Sequence, residues 1–130
     1  MIKLVALLRK RDDITREQFI EHYENSHVPL IHGFFAPYVV EYTRTYLDHG
    51  HPLSFCGLYG SSEPFPGSRY DVVTTQVFRN QDDLDAFYRA AAAPGVGEAI
   101  AADEAKFLDS RYNQCIIMLE HHANPGGKAA

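Results

Sequence analysis

Three side chains spaced four residues apart place a titratable group on the apolar side of a predicted helix. Phe19, Tyr23 and His27 share this spacing, so they form one helical stripe with the imidazole facing inward. We expect His27 and Tyr23 to be catalytic groups and Phe19 to contact the substrate, whereas His22 is angled away and is expected to be exposed. A neutral imidazole in an apolar pocket can remove the acidic proton of an enolisable carbonyl compound. The alternative is a core histidine that hydrogen-bonds a backbone carbonyl. The spacing alone leaves both interpretations open.

A second group of polar side chains alternates along a β-prone segment, residues 39–47. Tyr42, Arg44 and Tyr46 lie on one face of this predicted strand. If that face is directed at the helices, these side chains converge with His27 on one substrate pocket, where a phenol can hydrogen-bond a developing enolate oxygen. The alternative is that the tyrosines stack in a dimer interface.

One carboxylate and two histidine pairs complete the candidate chemistry. Asp109, just before the last predicted strand, either orients His27 by accepting its second N–H or caps the local backbone. The pairs His49/His51 and His121/His122 lack a carboxylate or cysteine at the spacing of a closed metal site. No glycine-rich phosphate motif is present in the sequence. We therefore expect no metal, haem or other cofactor.

The elements that must position these residues follow a recognisable order. Thr15 and Gln18 form a predicted capping box, and Pro29 is expected to end the helix that they begin. A second helical region is predicted to be capped by Asp82 or Asp83. The predicted strands are 2–9, 39–47, 70–78 and 112–120, and the predicted helices are 16–28, a segment from 82 and a segment over 97–106. The order β-α-β-β-α-β predicts an α+β, ferredoxin-like domain over residues 1–122, followed by a flexible tail over 123–130.

The first and last predicted strands are apolar on both faces. A ferredoxin-like sheet carries its helices on one face of a four-stranded antiparallel sheet, and a chain of 130 residues has no spare element for the other. A second copy of the same sheet is the economical cover. The sequence therefore predicts a homodimer formed through the sheet faces.

The segment 48–69 is unusually long and irregular for a connection in a compact domain. It holds four Gly, three Pro and four Ser, yet still carries Phe55, Leu58 and Tyr59. We expect a flap over the pocket mouth, with Tyr59 among the residues that contact a ligand.

Composition excludes several classes of partner. The net charge is -5 and the basic run Arg9-Lys10-Arg11 is only three residues long, which argues against binding to nucleic acid or to an anionic membrane. No apolar run approaches the ~18 residues of a membrane span, and we expect no signal peptide because Met1 is followed directly by an amphipathic strand. Cys56 and Cys115 show no pairing pattern. We expect a reduced, cytoplasmic protein.

Two motifs make the chain similar to the EthD family of the dimeric α/β-barrel superfamily. They are Phe-x3-Tyr-x3-His-x-Pro-Leu, which starts at Phe19, and the late Phe107-Leu-Asp109. The resemblance implies a small, cofactor-independent enzyme that cyclises, dehydrates or isomerises an aromatic or polyketide-like substrate. It also leaves two alternatives: a cofactor-free monooxygenase of a degradative pathway, or a non-catalytic accessory protein that binds an apolar metabolite.

Overall fold

The computed structural model describes residues 1–58 and 70–119, together with 122 and 125. Its strands are β1 (Ile2–Leu8), β2 (Glu41–Tyr46), β3 (Val72–Phe78) and β4 (Gln114–Met118). Its α-helices are α1 (Arg16–His22), α2 (Val28–Phe35), α3 (Gln81–Ala91) and α4 (Val96–Glu104). A π-helical turn (Tyr23–His27) joins α1 to α2, and a 3₁₀ turn (Ser110–Tyr112) precedes β4.

The four strands form one antiparallel sheet in the order β2-β3-β1-β4, which is the ferredoxin-like topology predicted from the sequence. Alternate residues of β1 (Leu4, Ala6 and Leu8) are buried on the side that carries the helices. Ala6 lies between Thr74 of β3 and Cys115 of β4 in the register. The centre of the helix-facing side therefore combines small, apolar and polar groups.

The first helix does not end where the sequence predicted. The capping box forms, because the Thr15 hydroxyl accepts from the Gln18 amide and the Gln18 side chain accepts from the Thr15 amide. The prediction that Pro29 ends this helix is wrong: Pro29 lies in the first turn of α2, and the chain stays helical to Phe35. A proline has no N–H and clashes with the carbonyl four residues earlier. The π turn relieves that conflict, since the Val28 amide bonds instead to the Tyr23 carbonyl, five residues back.

The second helical region also begins differently from the prediction. The N-cap of α3 is Asn80, whose side chain accepts a hydrogen bond from the Asp83 amide, so neither Asp82 nor Asp83 is the cap. These two acidic residues instead lie in the first turn, where they interact favourably with the helix dipole. Gly95, in the left-handed conformation at φ 83°, then begins α4.

The face of the sheet opposite the helices is only partly covered. On it lie Val5 of β1 and its register partner Ile116 of β4, and Ile116 is 46% exposed. Within the described part of the 48–69 segment, Leu53 and Leu58 are largely exposed. Tyr59 lies outside the described residues. None of the helices in the described ranges has both the length and the apolarity needed to cross a bilayer.

Candidate active site

A cavity of ≈ 240 Å³ lies between the helix-facing side of the sheet and the helices. Aliphatic and aromatic side chains from β1, α2 and α3 form much of its wall. The polar residues that line it are Tyr23, His27, Tyr42, Thr74, Gln76, Tyr88, Glu104, Asn113 and Cys115. Three of the residues predicted to form the site, His27, Tyr23 and Tyr42, are thus brought together.

His27 is held at the end of the π turn by a carboxylate from α4. The residue is 5% exposed, and its Nδ1 lies 2.9 Å from Oδ2 of Asp103. An ionised carboxylate only accepts hydrogen bonds, so Nδ1 carries the proton and the Nε2 of the neutral ring keeps its lone pair. Nε2 makes no hydrogen bond within residues 1–58 and 70–119. Burial lowers the pKa of His27, and the bond to Asp103 offsets only part of this effect. The neutral, basic form of the ring is therefore favoured.

Asp103 is the centre of a small buried cluster. Its Oδ1 accepts from the Ser26 hydroxyl at 2.9 Å and from His22 Nε2 at 3.1 Å. Burial disfavours the charged form of Asp103, but the hydrogen bonds from His27 and Ser26 outweigh it and lower the pKa of the carboxyl. The carboxylate consequently stays ionised and fixes the orientation of His27.

The π turn explains why His22 joins this cluster. On a regular α-helix, residues five apart point about 140° away from each other, which is why the sequence predicted an exposed His22. The wider π turn brings positions five apart closer to the same side. His22 and His27 therefore both reach Asp103, and both rings pack against the buried ring of Phe107, at 4.9 and 5.0 Å between centroids.

The structure corrects the role predicted for Asp109. Its carboxylate accepts two hydrogen bonds from Arg111, at 2.8 and 2.9 Å, and does not contact His27. Asp109 precedes the 3₁₀ turn without a side-chain cap, and its amide bonds to the Arg9 carbonyl. Within the Phe107-Leu-Asp109 motif, Phe107 is the residue that packs against the site.

Two phenols provide hydroxyl groups beside the imidazole. The Tyr23 hydroxyl lies 2.6 Å from Thr74 Oγ1, and the Tyr42 hydroxyl donates to Tyr23 over a longer 3.4 Å. Burial raises the pKa of both phenols above the ordinary value. They stay protonated at neutral pH, so they can donate hydrogen bonds but do not act as bases.

Three other residues predicted to bind substrate, Arg44, Tyr46 and Phe19, instead connect the first helical region to β2. Arg44 makes a two-pronged ion pair with Glu24 at 2.6 and 2.9 Å, and Tyr46 donates to the same carboxylate. Phe19 is 1% exposed and packs edge-on against Tyr23 and Tyr46. None of these side chains lines the cavity. They fix the position of the helix against β2.

Sequence reasoning missed two carboxylates, Asp103 and Glu104, at the end of α4. The signal was present, because Ile100, Asp103 and Phe107 recur at intervals of three and four and so place a carboxylate on the buried stripe. Glu104 lines the cavity itself. Within the described ranges, no cluster of three or more His, Cys, Asp or Glu side chains is arranged to hold a metal ion.

Comparison with known proteins agrees with this architecture. The chain resembles an EthD family protein from Bacillus halodurans (24% identity, 93% of this chain and 99% of that one, TM-score 0.60). It also resembles a dimeric, ferredoxin-like protein of unknown function from Bacteroides fragilis (20% identity, 90% and 93%, TM-score 0.52). A third similar structure is SnoaB, a cofactor-independent oxygenase from Streptomyces nogalater (16% identity, 95% and 96%, TM-score 0.55).

No curated protein matches this sequence. The model of the EthD domain matches residues 11–111, which include α1, the π turn and the Phe107-Leu-Asp109 motif. The chain belongs to the EthD domain family.

Proposed function

We propose that this protein is a cofactor-independent enzyme that uses His27 to deprotonate a small, enolisable aromatic or polyketide-like ketone. The observation that carries the proposal is the contact between the imidazole and a carboxylate: His27 Nδ1 lies 2.9 Å from Asp103 Oδ2, and the ring lines the cavity. Because the carboxylate accepts the Nδ1 proton, the neutral ring keeps a lone pair on Nε2. This arrangement leaves one basic nitrogen available to a bound molecule.

The neighbouring groups suit the charge that develops in such a step. As Nε2 takes the α-proton, negative charge moves to the carbonyl oxygen of the substrate. The Tyr42 hydroxyl, whose bond to Tyr23 is long, can turn to donate to this oxygen. The imidazolium that forms is stabilised by the adjacent Asp103 carboxylate. Cyclisation, dehydration and isomerisation all proceed from the resulting enolate.

A second candidate reaction shares the same first step. SnoaB is a cofactor-independent oxygenase, and its similarity supports the alternative that the enolate of the substrate reacts directly with dioxygen. A non-catalytic protein that only binds an apolar metabolite is the third possibility. Deprotonation at His27 separates the first two from the third.

Exchange of phenylacetone hydrogens with heavy water tests this step without knowledge of the natural substrate. NMR should show protein-dependent exchange at the benzylic position, falling ~10²-fold or more in His27→Gln, because an amide cannot accept the proton. His32→Gln is a matched control, since His32 is an exposed histidine on α2. Equal rates in wild type and His27→Gln would refute the proposal.

We also propose that the protein is a homodimer joined through the open face of the sheet. Val5, Ile116 and Met118 leave an apolar surface there, and the similar Bacteroides fragilis structure is described as dimeric. Native mass spectrometry should give about twice 14.7 kDa. Ile116→Lys should produce monomers, whereas Leu53→Lys, in an exposed loop, should not. A wild-type monomer at micromolar concentration would contradict the dimer.

A further inference from the structure

Glu104 is a carboxyl group that lines the cavity. The proton transfer proposed for His27 does not use it. It is the last residue of α4 and follows Asp103 directly. Adjacent residues on a helix point about 100° apart, so Asp103 contacts the π turn while Glu104 lines the cavity. The Glu104 carboxyl makes no hydrogen bond or ion pair within the described residues. It is available to a bound molecule.

The surroundings of Glu104 favour its protonated form. Burial raises the pKa of the carboxyl, and the negative charge of Asp103 raises it further. The other titratable groups that share its cavity are His27 and Tyr23 from the π turn, Tyr42 from β2, Tyr88 from α3 and Cys115 from β4. None of these is a cation that would stabilise the carboxylate, since the pKa of His27 is lowered. The cavity thus holds a neutral base and a carboxyl group biased towards the acid, which is the pairing that acid–base catalysis requires.

We propose that Glu104 is the general acid of this site and that the substrate is a β-hydroxy ketone, which the enzyme dehydrates. The proposal rests on the function proposed for His27. His27 Nε2 takes the α-proton, and the electrons of the C–H bond form the enolate and then the C=C bond. The C–O bond breaks at the β-carbon, and the departing hydroxyl takes the Glu104 proton to leave as water. Transfer of the proton from His27 back to Glu104 through water resets both groups.

Asn113 supports a substrate that carries a hydroxyl group. It lines the same cavity, and its Oδ1 is buried without a hydrogen-bond partner in the described part of the chain. A buried amide oxygen without a partner is costly, and rotation of the Asn113 amide into the cavity would let this oxygen accept from a hydroxyl group of a bound molecule. Both Asn113 and Glu104 therefore fit a neutral ligand with at least one hydroxyl.

The aldol of benzaldehyde and acetone is a suitable probe, because its dehydration gives benzalacetone, which is followed by ultraviolet absorbance. Exchange of phenylacetone hydrogens provides the second readout, since it needs only the base. In Glu104→Gln the ratio of dehydration to exchange should fall ~10²-fold, while Glu98→Gln, on the exposed side of α4, should keep the wild-type ratio.

The possible failures are distinct. An unchanged ratio in Glu104→Gln, including an equal loss of both rates, would overturn the role of Glu104 as an acid. A wild type that catalyses exchange but not dehydration would overturn it too. Exchange that survives in His27→Gln would instead overturn the proposed function.

Discussion

Two carboxylates hold the π turn in place, one on each side. They differ in whether the side chains that bond to them also line the cavity. Glu24 faces β2 and accepts hydrogen bonds from Nε and Nη2 of Arg44 and from the Tyr46 hydroxyl. Asp103 reaches the turn from α4 and engages His27, His22 and Ser26. We call these the Glu24 cluster and the Asp103 cluster.

The difference lies in what remains available to a ligand. In the Glu24 cluster the Arg44 guanidinium also donates to the Tyr42 carbonyl, and neither Arg44 nor Tyr46 lines the cavity. In the Asp103 cluster the carboxylate is satisfied, but His27 retains an unprotonated nitrogen and lines the cavity. The polar residues of these two clusters thus divide into those that only fix the position of an element and one, His27, that also lines the cavity. The Glu24 cluster is of the first type.

The largest expected effect on stability comes from removing the carboxylate of the Asp103 cluster. Asp103→Ala leaves two histidines and a serine without their acceptor in a buried position, which should cost roughly 2–4 kcal/mol of unfolding free energy. It should also reduce phenylacetone exchange, since His27 loses its orienting partner. Urea denaturation measures the first effect, and Asp109→Ala is the matched control: it removes an ion pair with the exposed Arg111 and should cost much less than Asp103→Ala. Equal unfolding free energies of the two variants would contradict the claim that the Asp103 carboxylate stabilises the fold through its three hydrogen bonds.

A smaller effect is expected from the Glu24 cluster. The hydrogen bond with Arg44 lowers the pKa of Glu24, so this carboxylate is ionised at neutral pH. Glu24→Gln weakens a partly exposed ion pair and should cost about 1 kcal/mol. Phenylacetone exchange should stay at the wild-type rate, measured alongside thermal unfolding. A loss of exchange larger than the loss of stability would show that Arg44 or Tyr46 acts on the ligand, as the sequence first suggested.

Local patterns predicted the fold and the buried position of His27. The capping box, the stripe of Phe19, Tyr23 and His27, and the alternation in β2 depend on neighbouring residues, and each is present in the structure. Such patterns show which face a residue occupies because helical and strand periods are fixed.

The partners of His27 were harder to predict because they are distant in sequence. Asp103 lies 76 positions away, and choosing it over Asp109 requires knowing how α4 packs against the π turn. The π turn itself changes the angular step between residues, so a regular helical period put His22 on the wrong side. Tyr42 points into the cavity, as the alternation of the strand predicted. Arg44 and Tyr46 lie on the same strand face, but they donate their hydrogen bonds to Glu24 and do not line the cavity.

Nitrogen-15 NMR of the His27 imidazole tests the central claim most directly. At neutral pH we expect Nδ1 to be protonated and Nε2 not, and we expect Asp103→Asn to disturb this tautomer. The protonation midpoint should lie below the ordinary 6.5, because burial lowers the pKa of the ring. At pH 6.5, more than half of His27 should therefore still be neutral. A ring protonated at Nε2, or doubly protonated at neutral pH, would contradict the assignment of His27 as the base.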